Sequence, residues 1–270
     1  MPAGEEQDAV AAIAGPLPVT VIGRMMGVAE SEHANFRRWS NAIVGLQNGG
    51  MRQDTLHTFM ELRAFFGRIA AERRSAPGPD LISALTRVSE TDETLSDDQI
   101  VGFAILLMIA GNETTTNLLG NLLDRLADRP EEWAALRSDP ARVEAAIEES
   151  LRADSPAQMI MRRTREAVEM GGVTIPAGDL VMVYLAAANR DPAKWSDPAN
   201  FEVARERERH IAFGHGVHTC IGAPLARLEA RAAMDALVER FATLARGRTP
   251  GERIPRGMLY GFRSLPLVFG

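Results

Sequence analysis

Apolar residues recur at three-to-four spacing through the first part of the chain, in "PVTVIGRMMGV", "EHANFRRWSNAIVGLQ" and "DTLHTFMELRAFFGRIAAERR". That period predicts amphipathic helices. Pro77-Gly78-Pro79 interrupts it, a short helix is predicted around "DLISALTRV", and the polar run "SETDETL" reads as a loop. At Ser96 the pattern restarts, with Ser96 and Gln99 spaced as a capping box and Asp97 and Asp98 in the first turn. No proline follows until Pro130, which predicts one helix of roughly thirty residues, about 45 Å long. Two shorter helices come next, "PEEWAALRS" and "PARVEAAIEESLRAD", each begun by a proline in the first turn.

From Met159 the texture changes. "GGVTIPAGDLVMVYLAAA" alternates in the manner of short strands, punctuated by Gly171-Gly172 and Pro176-Ala177-Gly178. One more amphipathic helix is predicted from Pro224 to about Arg246, then a strand-like tail, "SLPLVFG". There is no internal repeat and no low-complexity linker. The reading is a mainly α fold with a minor β part, a single domain over residues 1–270.

Composition narrows the function. With 46% hydrophobic and 24% charged residues among 270, the chain can bury a substantial core. A net charge of −6 argues against a nucleic-acid binder or a basic membrane surface. The longest apolar run, "IVGFAILLMIAG", is too short to span a bilayer and reads as a buried helix. The opening "MPAGEEQDAVAAIAG" is acidic where a signal peptide would be basic, and one cysteine makes no internal disulfide; the expected setting is cytoplasmic.

That one cysteine, Cys220, lies in "FGHGVHTCIGAPLARLEA", where a Gly-rich loop becomes a helix. Gly214, Gly216 and Gly222 let backbone approach closely, Pro224 sits just inside the helix start, and the helix's positive end favours a thiolate. Several chemistries fit. A buried, inert cysteine is the bland one. A zinc site could use Cys220 with His210, His215 and His218, although structural zinc sites usually join two separated ligand pairs. A nucleophile with His218 as base is another, and a single axial thiolate to haem iron a fourth.

Two further motifs stand out. Ala110-Gly111-Asn112-Glu113-Thr114-Thr115 lies inside the long helix, where Gly111 costs roughly 1 kcal/mol relative to alanine and Glu113 and Thr114 need partners. The helix is expected to open locally there, over a cofactor groove, unless Glu113 lies on a wet face. Glu149 and Arg152, three apart in "ESLR", share a helix face and can pair.

Together "FGHGVHTCIG", "AGNETT" and "ESLR" resemble the motifs of the cytochrome P-450 superfamily, in particular its soluble bacterial haem-thiolate monooxygenases. "ANRDP" and the "LPL" near the end fit the same resemblance. It implies a cytochrome P-450-like fold with haem as cofactor and Cys220 as the proximal iron ligand. His218 and Arg162 would contact the haem propionates, Phe213 would pack near the sulfur, and Gly214 belongs to the haem loop. Thr114 and Glu113 would deliver protons to dioxygen, and Ala110 and Gly111 would shape the oxygen groove. Glu149 and Arg152 would be structural. Many relatives have arginine where this chain has Asn200, which leaves the third member of their network open. Gln158, Met159 and Ile160 would line the substrate pocket.

The implied reaction inserts one oxygen atom of O2 into a small apolar organic substrate. Electrons would come from a ferredoxin-type donor and its reductase, with Arg205, Arg207, Arg209, Arg227 and Arg231 as a docking face or, interspersed with Glu206 and Glu208, a mixed-charge surface. Relatives are longer, so the expectation is a domain truncated at its N-terminus by about a third. The alternative is a catalytically silent fragment that at most binds haem.

Overall fold

The structure, a computed structural model, describes the chain except residues 1, 37, 40, 41, 43–52, 89–94, 207 and 256, with the side chains of 53–55 also left out. Half of the predicted helix in "EHANFRRWSNAIVGLQ" and nearly all of the loop "SETDETL" lie outside the described residues; of the former, residues 33–36, Arg38, Trp39 and Ala42 are helical. Helices dominate and the strands are short, so the fold is mainly α with a minor β part. Contacts divide it into two compact units, Asp8–Thr116 on the one hand and Met1–Gln7 with Asn117–Gly270 on the other.

In the unit Asp8–Thr116, helix α1 spans Pro16–Met25, α2 spans Gln53–Ser75 and α3 spans Leu81–Arg87. Asp80 caps α3 by accepting from Ser83 N–H at 2.7 Å and takes Arg73 Nε at 2.7 Å. Gly27 has a φ of +72°, and a Cβ there would meet the Asp80 carboxylate at 2.5 Å, so only glycine fits. Phe36, Leu62, Phe66, Ile100, Ala104 and Met108 are among the core side chains of this unit.

Helix α4, Asp97–Ala127, runs 31 residues, close to the predicted length. The capping box is formed as read: Ser96 N–H donates to Gln99 Oε1 at 2.8 Å and Gln99 N–H to Ser96 Oγ at 3.2 Å. The apolar run is buried on one side through Ile100, Val101, Ala104, Ile105 and Met108, but Leu106 is exposed. Further along, Leu118, Leu119, Leu122, Leu123 and Leu126 are buried in the second unit. No helix among the described residues is long and apolar enough to cross a membrane.

That second unit stacks α5 (Pro130–Ser138), α6 (Ala141–Ala153) and α8 (Ala223–Arg240), with the short α7 at Leu185–Ala188. Pro140 proves to be the N-cap of α6 rather than its first-turn residue. The prediction carried α8 to about Arg246; it stops at Arg240. Phe241 turns extended, and Leu244–Arg246 becomes strand β6, paired antiparallel with the tail strand β9, Pro266–Phe269. The ring of Phe241 packs against Phe269 at 5.2 Å and its carbonyl takes the Trp133 indole N–H at 3.2 Å. Core packing ends this helix where periodicity alone would extend it.

Strand β2 (Ile160–Arg163) pairs antiparallel with β5 (Leu180–Val183). Between them β3 (Val168–Met170) and β4 (Val173–Ile175) form a hairpin whose two-residue turn is Gly171-Gly172, φ +58° and +78°.

One buried residue on α8 has no explanation in packing. Glu229 is 5% exposed, and neither carboxylate oxygen has a hydrogen-bond partner. Burial pushes its pKa up to about 7. Its raised value means the folded chain keeps a proton that the unfolded chain releases, so stability falls as pH rises from about 4.5 to about 7 and then levels. At about 1.4 kcal/mol per pKa unit the full effect is on the order of 3 kcal/mol. Glu229→Gln is therefore expected to raise the urea midpoint at pH 8 and to flatten the stability profile between pH 5 and 7. An unchanged midpoint at pH 8 would refute the assignment.

Candidate functional site

The cysteine loop is built from backbone. Gly214 and Gly216 take φ values of +75° and +72°, which admit glycine at little cost, and a 3-10 turn runs through Gly216–His218. Cys220 N–H donates to Phe213 O at 2.8 Å and closes the loop, and α8 begins three residues later at Ala223. The thiol is exposed, so the inert, buried reading of this cysteine fails. Val217 and Ile221 on either side of it are 98% and 83% exposed. Two branched aliphatics left in water beside an accessible thiol form an apolar, sulfur-bearing surface.

Of the histidines considered with it, His210 is turned away to Glu148, with Nε2 at 3.1 Å from the carboxylate. His215 and His218 are exposed. Among the described residues no group of three or more His, Cys, Asp or Glu side chains is placed to hold a metal ion, which removes the zinc reading. Arg162 is also exposed, on β2, with Nη1 donating to Met161 O at 3.0 Å.

The same unit holds a buried ionic core. Arg152, 1% exposed, uses its whole guanidinium: Nε and Nη2 hold Glu149 at 2.8 and 2.7 Å, and Nη1 and Nη2 also reach the carbonyls of Asn189, Pro198 and Asn200 at 2.9 to 3.0 Å. All five N–H donors are engaged, the condition under which a buried guanidinium is tolerated. The guanidinium also lies 5.3 Å from the Trp195 ring centroid.

The third member of the network is Arg205, whose Nε reaches Glu149 Oε1 at 3.2 Å with the side chain 9% exposed. Asn200 offers only its carbonyl, to Arg152 and Arg205 alike. Arg205 also donates to the carbonyl of Asp197, whose φ of 43° marks a strained turn. Sequence reasoning missed this role because it looked for the arginine at position 200; an arginine five residues later reaches the same carboxylate. It also missed Asn189, which donates to Ser155 Oγ at 2.9 Å and accepts the Ile211 N–H at 2.8 Å, two residues before Phe213.

The arginines offered as a docking face are mostly engaged within the chain. Arg205 serves Glu149, Arg227 binds Glu148 through Nε at 2.6 Å and Nη2 at 2.9 Å, and Arg231 pairs with Asp235 at 2.7 Å. Arg209 is exposed and Arg207 lies outside the described residues. Burial pushes the Glu148 carboxyl up, but the bonds from Arg227 and His210 outweigh it and hold its pKa down at about 2. The pair is therefore charged throughout the neutral range.

The motif in the long helix falls in the unit Asp8–Thr116. Contrary to expectation, α4 is continuous through it. Thr114 Oγ1 donates to Ala110 O, one turn back, at 2.7 Å, so the helix itself satisfies the hydroxyl. Gly111 has a packing reason: a Cβ there would meet Ile22 Cδ1 of α1 at 3.0 Å. Ala110 is exposed, while Glu113 and Thr114 are half-buried.

A family model described as "Cytochrome P450" matches residues 49–266. Among curated relatives, cytochrome P450 107B1 of Saccharopolyspora erythraea is 42% identical over 97% of this chain and 65% of its own length. The cytochrome P450 monooxygenase PikC of Streptomyces venezuelae is 41% identical over 96% of the chain and 63% of its own. The solved structure of open cytochrome P450 EryK from S. erythraea superposes with a TM-score of 0.92 and 37% identity, covering 99% of this chain and 70% of that one. The chain belongs to the cytochrome P450 family, and it spans just under two thirds of the length of those two curated relatives. The family's cofactor is haem, its iron held by a cysteine thiolate. The residues fit that group: one exposed thiol on a glycine-shaped loop, between two exposed aliphatic side chains.

The ionic core yields a stability test. Arg152→Leu leaves Glu149 buried beside a half-lost network and is expected to cost about 3–5 kcal/mol, enough to prevent folding in a marginal domain. Arg205→Ala keeps the Glu149–Arg152 pair and is expected to cost about 1–3 kcal/mol. Urea unfolding followed by circular dichroism ranks them; equal, small effects would contradict the network.

Proposed function

We propose that this chain is the haem-binding portion of a monooxygenase that inserts one oxygen atom of O2 into a small apolar organic molecule. The observation that carries the reading is the exposed Cys220 thiol between exposed Val217 and Ile221, on a loop closed by the Cys220 N–H to Phe213 O bond. Haem held by the Cys220 thiolate would, when bound, supply the dioxygen activation that the reaction needs.

The chain's own residues take the following roles in this reading. Cys220 presents its sulfur at a fixed point, and Gly214 allows the turn that aims it. Phe213 holds the loop through its carbonyl. Val217 and Ile221 would offer the bound group an aliphatic surface and help to exclude water from the sulfur. His218 and Arg162, exposed and basic, would hold the propionates. Thr114 Oγ1 holds the Ala110 carbonyl at 2.7 Å and can pass a proton along the α4 surface, with the Glu113 carboxyl as its source. Ala110 and Gly111 would keep the helix surface low for dioxygen. The roles of Thr114, Glu113, Ala110 and Gly111 rest on the family motif.

Electrons would be delivered by a ferredoxin-type donor and its reductase in the cytoplasm. Arg209, exposed beside the loop, is the better candidate contact for an acidic donor, since Arg205, Arg227 and Arg231 already hold carboxylates.

The test is the carbon monoxide difference spectrum of the reduced, haem-reconstituted chain beside Cys220→Ala. A far-red-shifted Soret band that disappears in the variant is expected; a band indifferent to Cys220 would refute the ligand assignment. Oxygen consumption coupled to substrate oxidation separates turnover from passive haem binding.

A further inference from the structure

The glutamate that precedes Glu149 takes no part in the buried core. Glu148 is half-buried on α6 and receives hydrogen bonds from both sides of the cysteine loop. From the N-terminal side comes His210 Nε2, at 3.1 Å. The other ring nitrogen, Nδ1, accepts the Ala212 N–H at 3.2 Å, which leaves Nε2 as the donor to Glu148. From the C-terminal side, on α8, comes Arg227, bidentate at 2.6 and 2.9 Å. Both partners converge on one ring: the Arg227 guanidinium lies 4.5 Å from the Phe213 centroid and the His210 ring 6.2 Å from it. Phe213 is the residue whose carbonyl holds the Cys220 N–H.

We propose that Glu148 is a positioning residue for the thiolate: with His210, Phe213 and Arg227 it closes a ring of contacts around the backbone that presents Cys220, and sets the shape of that loop before any cofactor binds. What the loop is for rests on the haem-thiolate reading; that Glu148 holds it does not. A general brace between α6 and α8 would use the same bidentate pair, but it would have no need of His210 or of an arginine stacked on Phe213. The adjacent carboxylate on α6, Glu149, is otherwise occupied, bound by Arg152 and Arg205. On α8, the Arg231–Asp235 pair is the natural control, one turn further along the same helix.

The experiment is amide hydrogen exchange on the full chain without haem, comparing wild type with Glu148→Gln, Arg227→Lys and Arg231→Ala. Glu148→Gln keeps the shape and loses the charge. Exchange at the Cys220 and Ala212 amides is expected to rise about tenfold in Glu148→Gln and in Arg227→Lys, with amides in the middle of α6 changed by less than about twofold. Arg231→Ala is expected to leave the Cys220 amide unchanged. Cys220, as the chain's single thiol, gives a second readout: its alkylation rate should change in Glu148→Gln and return towards the wild-type value in Glu148→Asp. Unchanged exchange at Cys220, or acceleration shared equally by α6 and α8, would overturn the proposal and leave Glu148 a helix brace. If Glu148→Gln does not fold, Arg227→Lys decides alone. None of these readouts requires haem, so a failed carbon monoxide spectrum and a failed positioning role are separate results.

Discussion

Two adjacent carboxylates on one helix organise the half of the molecule that carries the cysteine. Glu149 points into the core, where Arg152 and Arg205 meet it, and Glu148 points outward to His210 and Arg227. Neighbouring residues on a helix diverge by about 100°, so one short segment of α6 can serve two separate loops. The inward carboxylate settles the irregular stretch around 197–205, because Arg152 can be buried only if carbonyls from Asn189, Pro198 and Asn200 come to its remaining donors. That requirement fixes backbone far from any regular element. Asn189 then passes the constraint on, through its side chain, to Ile211 at the start of the cysteine loop.

Much of this was legible in the sequence where a local rule applies. The capping box at Ser96 and Gln99, the Gly171-Gly172 hairpin and the glycine-built cysteine loop each follow from one or two residues whose backbone preferences leave few alternatives. Where the outcome depends on a partner far along the chain, the sequence was silent. The end of α8 is decided by the docking of Phe241 on Phe269, and helix periodicity carries no record of it. Gly111 looked like a cofactor groove and is also explained by Ile22, 89 positions earlier. Arg205 looked like a surface charge and is an internal one. A charged residue in an irregular segment gives no periodic sign of its burial, and only the geometry of Glu149 reveals the demand for it.

The same reasoning orders the site itself. A thiol offered to a large flat group has to be accessible, and an accessible loop is a mobile one unless something outside it holds its backbone. Here the Phe213 carbonyl and the glycine turns shape the loop, and the proposed brace of His210, Glu148 and Arg227 would hold it. Val217 and Ile221 are almost fully exposed and put aliphatic surface beside the thiol. In the proposed reading that group is the family's haem, and the backbone of the loop is what presents the thiol to it.

The most direct test of the account is X-ray absorption at the iron edge of the haem-loaded chain. The account requires one sulfur scatterer in the first coordination shell, present in the wild type and in Arg205→Lys and absent in Cys220→Ala. A first shell made only of nitrogen and oxygen in the wild type would contradict it, since the exposed thiol and the loop that presents it would then serve some other purpose.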